Sequence, residues 1–181
     1  HPEEIVVEGR LIWVLSFPFP RADPAAEWYK DRLRRKFRVH APRERPELMI
    51  DFATLTGACV NALTERYSGA FTNRPQWHEA IRAAGTRSGE RVWPFPLDED
   101  YDSDLESAIA DVLQCTPDSK GDHILAARFL SRFVPEQVPW IHIDLAASNR
   151  SGGLGHVPTD ITGFGVRYTV ELLNSGGLLE A

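Results

Sequence analysis

Asp122 and His123 are adjacent in this 181-residue chain, and a carboxylate beside an imidazole can orient the ring as a general base or a metal ligand. The same pair also fits the start of a helix, with Asp122 as cap and His123 an early helical residue, which asks less of the sequence. His142 falls in the run Trp140-Ile-His-Ile-Asp-Leu-Ala146, where Ile141, Ile143 and Leu145 share one strand face. His142 then lies on the other face as a structural residue. His156 has no acidic or cysteine neighbour at zinc spacing. Cys59 and Cys115 form no CxxC pattern and read as buried free thiols in a reducing cytosol. Asp98, Glu99, Asp100, Asp102, Asp104 and Glu106 suggest calcium by charge, but the Gly turn and bidentate spacing of an EF-hand are lacking. They fit a helix N-terminus, where the dipole favours carboxylates. Thr54 to Gly57 alone reads as a strand-to-helix turn with a capping threonine.

The elements that must position these groups alternate. Ile5 to Val7 is a strand end, and Leu11 to Phe17 is a buried strand stopped by Pro18 and Pro20. Asp23-Pro24 starts a charged helix closed by Pro42 and Pro46. Leu48 to Phe52 has the continuous apolar character of a central parallel strand, and a helix starts within Ala58–Leu63. Helices are expected over 75–84, ended by Gly85, over 100–113, over 123–134 and over 165–173, with a strand at 140–146. Residues 151–155 form a Gly-rich loop, and residues 174–181 read as a flexible tail. Strands and helices in this alternation predict an α/β fold with a mainly parallel sheet.

Hydrophobic content of 43% and charged content of 25% fit a single globular domain spanning 1–181. A formal net charge of -6 gives no overall attraction to nucleic acid or anionic membrane. Residues 30–45 carry eight Lys and Arg against Asp31 and Glu44, a solvated helix face and linker in preference to a nucleic-acid surface. The longest apolar run, Leu11 to Pro20, is too short and too interrupted to span a bilayer. The chain begins at His1, which fits a piece of something longer.

Several separated segments together resemble the leucyl aminopeptidase (cytosol aminopeptidase) family, over the C-terminal part of its catalytic domain. They are Glu8-Gly9-Arg10-Leu11, Ile50 to Ala58, Tyr67 to Asn73, Gly89 to Trp93, Ala110-Asp111, Phe129 to Val134, Trp140 to Ala146, and Thr162 to Arg167. The resemblance implies a three-layer αβα architecture, incomplete relative to the family's domain, with residues 12–46 as a divergent connection. It also implies hydrolysis of N-terminal residues such as leucine from peptides, in the cytoplasm, by a homo-oligomer that is commonly a hexamer.

The family's cofactors are two divalent metal ions, manganese or zinc, which lower the pKa of a shared water. By resemblance, Glu8 matches a metal ligand and Arg10 the arginine that holds a catalytic bicarbonate. Thr54, Leu55 and Gly57 match the loop contacting the peptide's N-terminal residue, and Ala146 lines its pocket. Val6 stands where the family has a metal-binding aspartate, and the upstream lysines and aspartates have no counterpart. This polypeptide alone is therefore expected to lack most metal ligands and to be inactive. Two functions follow as alternatives: part of a metal-dependent aminopeptidase, or a non-catalytic descendant acting in assembly or binding.

Overall fold

The continuous apolar run at residues 48–53 forms the centre of the sheet. It appears in a computed structural model that describes residues 3–7, 10–17, 46–175 and 178, with side chains at Ile12, 46–174 and 178. The elements are β1 (Glu3–Val7), β2 (Arg10–Phe17), β3 (Leu48–Ala53), α1 (Gly57–Leu63), β4 (Ser68–Thr72), α2 (His78–Ser88), β5 (Val92–Pro94), α3 (Asp122–Ser131), β6 (Trp140–Asp144) and α4 (Val166–Ser175). The described strands form one sheet in the order β1-β2-β3-β6-β4-β5. The pairings β2–β3, β3–β6 and β4–β5 are parallel, whereas β1–β2 and β6–β4 are antiparallel.

All six residues of β3 and all five of β6 are buried, which requires cover on both faces of the sheet. One face sets Ile50, Phe52, Ile141 and Ile143 against Ile81 and Ala84 of α2 and Tyr168 and Leu172 of α4. The other sets Met49, Ala53 and Trp140 against Leu125, Phe129 and Leu130 of α3. Helices on both sides of the sheet make the expected three-layer α/β architecture. Among the described residues no helix is long and apolar enough to cross a membrane.

Four details depart from expectation. The helix expected over 100–113 is a 3-10 turn, Glu99–Leu105, followed by irregular chain. Asp102 is drawn to Arg128 at 2.6 Å and Arg132 at 2.8 Å, which pins the turn onto α3, and Ile109 is left fully in solvent. Helix α2 runs through Gly85 and stops at left-handed Gly89 (φ 76°). Gly85 is needed for approach, because a Cβ there would lie 2.8 Å from the Val92 backbone nitrogen. Cys59 is buried, but Cys115 is exposed, in irregular chain just beyond the expected helix. Asp122 is the first residue of α3 and not its cap, a place taken by left-handed Gly121.

Within the stretch read as a tail, 174–181, α4 reaches Ser175 and Leu178 is buried in the core. The helix expected from Asp23 and the basic run at 30–45 lie outside the described residues.

Candidate functional site

Strands β3 and β6 run parallel with Ala53 opposite Asp144, so the chain leaves both at the same end of the sheet. Loops at the carboxyl ends of parallel strands are where open α/β sheets bind ligands. Here the two loops are joined. Leu145 N–H donates to the Ala53 carbonyl at 2.8 Å. The Asp144 carboxylate, 1% exposed, accepts from Leu55 N–H at 3.0 Å, Thr56 N–H at 3.4 Å and the Thr56 hydroxyl at 2.8 Å. Thr56 Oγ1 in turn accepts from Cys59 N–H at 3.2 Å, capping α1. The threonine cap expected in this turn is therefore Thr56.

Burial pushes the Asp144 carboxyl above the usual carboxylate range, although His142, Thr56 and Leu55 pull it back in part. Burial, then the neighbouring Asp144 charge, pushes the Cys59 thiol up to about 12. At neutral pH Cys59 is a packing group and not a nucleophile.

Thr54, Leu55 and Gly57 lie on the first of the joined loops, and Ala146, 5% exposed, on the second. The Thr54 hydroxyl is buried and has no hydrogen-bond partner among the described residues. A Cβ on exposed Gly57 would meet nothing within 4 Å. Arg10 is elsewhere. With Ile12 opposite Leu48 and Phe17 opposite Ala53, Arg10 begins β2 at the far end of the sheet. At the usual rise per strand residue, that is about 25 Å from Thr54. Glu8 lies outside the described residues.

A second polar cluster was not expected from sequence. Asp51 Oδ2 accepts from Trp140 Nε1–H at 2.5 Å, and Oδ1 is 2.6 Å from His142 Nδ1. Burial acts to lower the His142 pKa, but the Asp51 charge and hydrogen bond, with the Asp144 charge, outweigh it and raise the value. His142 is thus structural, on the face opposite Ile141 and Ile143, as its alternation implies. The legible signal was the polar residues Asp51 and His142 inside apolar runs on neighbouring strands. His123 packs edge-on against Phe95, 4.5 Å between centroids, and burial lowers its pKa. Its Nδ1 has no partner among the described residues, so Asp122 and His123 form no dyad.

A cleft of about 770 Å³ lies at the opposite end of β6, lined by Thr72, Arg74, Phe95, Arg132 and Trp140 among others. Its Arg128 and Arg132 are committed to Asp102.

Among the described residues no group of three or more His, Cys, Asp or Glu side chains could hold a metal ion. Asp51 and Asp144, the buried aspartates nearest the joined loops, spend their oxygens on internal donors. The described residues do not fit a two-metal centre.

Residues 38–170 match the model of the cytosol aminopeptidase family, catalytic domain. A probable cytosol aminopeptidase from Chloroherpeton thalassium is 42% identical over 130 residues, covering 72% of this chain and 25% of that protein. The corresponding protein of Aquifex aeolicus is 41% identical over 136 residues, covering 74% and 27%. The chain thus spans about a quarter of the length of the curated relatives it matches. Among solved structures, the bottromycin maturation enzyme BotP superposes with a TM-score of 0.73 at 34% identity, covering 97% of this chain and 37% of that one. BotP is also known in complex with Mn. A tomato leucine aminopeptidase mutant superposes with a TM-score of 0.69 at 30% identity, covering 96% and 30%. With most of its length matched by the family model and its fold shared with these structures, this chain belongs to the cytosol aminopeptidase family.

Proposed function

We propose that this chain supplies the substrate-binding side of a metal-dependent aminopeptidase acting on peptides with N-terminal residues such as leucine. The observation that carries the reading is the joined pair of loops at the carboxyl ends of β3 and β6. They hold Thr54, Leu55 and Gly57 next to the segment bearing Ala146. The binding roles of these four residues rest on the family motif together with that position in the fold.

Two divalent ions would supply an activated water and polarise the scissile carbonyl. Their ligands come, in this reading, from outside the described residues, Glu8 included. The chain's own described part binds and orients the peptide. A cytoplasmic location and a homo-oligomer follow from the family and belong to the same proposal. So does a manganese or zinc preference, for which the Mn complex of BotP is the support.

Titration of an isotope-labelled chain with a leucyl dipeptide, followed by amide chemical shifts, tests the reading. The expected result is saturable shifts confined to residues 54–57 and 145–147. Shifts elsewhere alone, or none at millimolar peptide, would favour the non-catalytic descendant acting in assembly.

A further inference from the structure

We infer that Asp144 is a positioning residue, whose carboxylate, reaching from the end of β6, sets the shape of the Thr54–Gly57 loop that receives the ligand's N-terminal residue. This inference rests on the function proposed above. The loop lies between a strand and a helix, so neither element's hydrogen-bond ladder satisfies the Leu55 and Thr56 amides. Both instead donate to Asp144 Oδ1, while the Thr56 hydroxyl donates to Oδ2. One buried carboxylate therefore takes three donors from two successive residues 88 and 89 positions away.

The geometric consequence is specific. No described peptide bond is cis, and in a trans peptide the carbonyl points opposite to the following N–H. Turning the Leu55 and Thr56 amides toward Asp144 directs the Thr54 and Leu55 carbonyls away from it. The loop then presents two acceptors on the side away from Asp144, the chemistry that a ligand's amine and amide N–H groups require. An apolar side chain at 144 would leave these two part-buried amides without that acceptor, and they would turn to find water. The carbonyls would turn with them. Thr56 links this device to α1, since its hydroxyl donates to Asp144 and accepts from Cys59 N–H.

The test combines local hydrogen exchange with leucyl dipeptide affinity in Asp144→Leu, Asp144→Asn, Thr56→Val and Thr56→Ser, each compared with the parent chain. Asp144→Leu is expected to speed exchange at Leu55 and Thr56 by tenfold or more and to weaken the dipeptide by about the same factor. Exchange in β3 and β6 should stay protected. Asp144→Asn retains an acceptor for the amides and should lie within about threefold of the parent. Thr56→Val should show the loss and Thr56→Ser should restore it, which guards against a misfolded Asp144→Leu chain.

Parental dipeptide binding with unchanged affinity in both Asp144→Leu and Thr56→Val would overturn this inference and leave the proposed function standing. A parent chain that binds no dipeptide would overturn the proposed function and this inference with it. Exchange loss spread evenly over the sheet would also overturn it, by making Asp144 a general stabiliser and not a device acting on one loop.

Discussion

Asp51 and His142, facing each other on β3 and β6, approach to 2.6 Å with neither side chain exposed. Trp140 Nε1–H shares the same carboxylate. Three polar side chains thus bond one another inside the face of the sheet covered by α3, while His142 Nε2 has no partner among the described residues. Removing one partner of such a buried pair leaves the other uncompensated, a loss of about 3–5 kcal/mol. Asp51→Ala should lower the urea unfolding free energy by that amount. The double variant Asp51→Ala/His142→Phe should lose less than the sum of the two single changes, because the pair acts as a unit.

The same cluster sets a pH dependence. The His142 pKa is raised above its ordinary 6.5 on folding, so the folded state holds that proton more tightly than the unfolded chain. Its stabilisation is complete below pH 6.5 and fades as pH climbs through the folded-state value. Asp144, also raised from its ordinary 3.8, acts with the same sign from a lower starting pH. Urea midpoints should therefore fall as pH rises above 6.5. His142→Phe should flatten that part of the curve, and a decline of unchanged slope would refute the assignment.

The two cysteines should separate cleanly in a thiol titration. Cys115 is exposed, while Cys59 is buried with its pKa at about 12. A thiol reagent at neutral pH should label one cysteine in the native chain and both in denaturant. Prompt double labelling of the native chain would mean that the α1–β4 contact opens readily.

That contact also governs Gly69. A Cβ at this position would sit 2.8 Å from Cys59 Sγ and 3.2 Å from the Phe95 ring. Gly69→Ala should cost about 1–3 kcal/mol by thermal or urea unfolding, as overpacked sites do. Adding Cys59→Ala should recover part of that loss, and full additivity of the two changes would show that the sulfur is not the obstacle.

What could be read from the sequence follows from what each segment depends on. Strands β3 and β6 were legible because an apolar run and a clean alternation directly reflect burial on the sheet. Strand β4 was not read as a strand, because Ser68, Gly69 and Ala70 have weak β-propensity. Its place is fixed by pairing with β6 and β5 and by the close approach at Gly69. The acidic run 98–106 carried a helical signal that Asp102 overrides by bonding Arg128 and Arg132, contacts of long sequence separation. For the proposed site, the family motif pointed to the Thr54–Gly57 loop and Ala146, two segments that the structure sets side by side. Neither motif nor spacing pointed to Asp144 as the group that joins the two loops, since its partners lie 88 and 89 residues away. The Arg10 motif lacks the same support: its register on β2 sets it at the opposite end of the sheet from Thr54.

The most direct test of the account is to incubate the purified chain with manganese and a leucine anilide while measuring bound metal by equilibrium dialysis. The account predicts no turnover and far less than two metal ions per chain, because the proposed reading gives the described residues the peptide side of the site, and the family motif places a single metal ligand, Glu8, in this chain with Val6 at the aspartate position. Turnover accompanied by about two metals per chain would contradict it, and would mean that this polypeptide assembles a complete two-metal centre from residues outside those described.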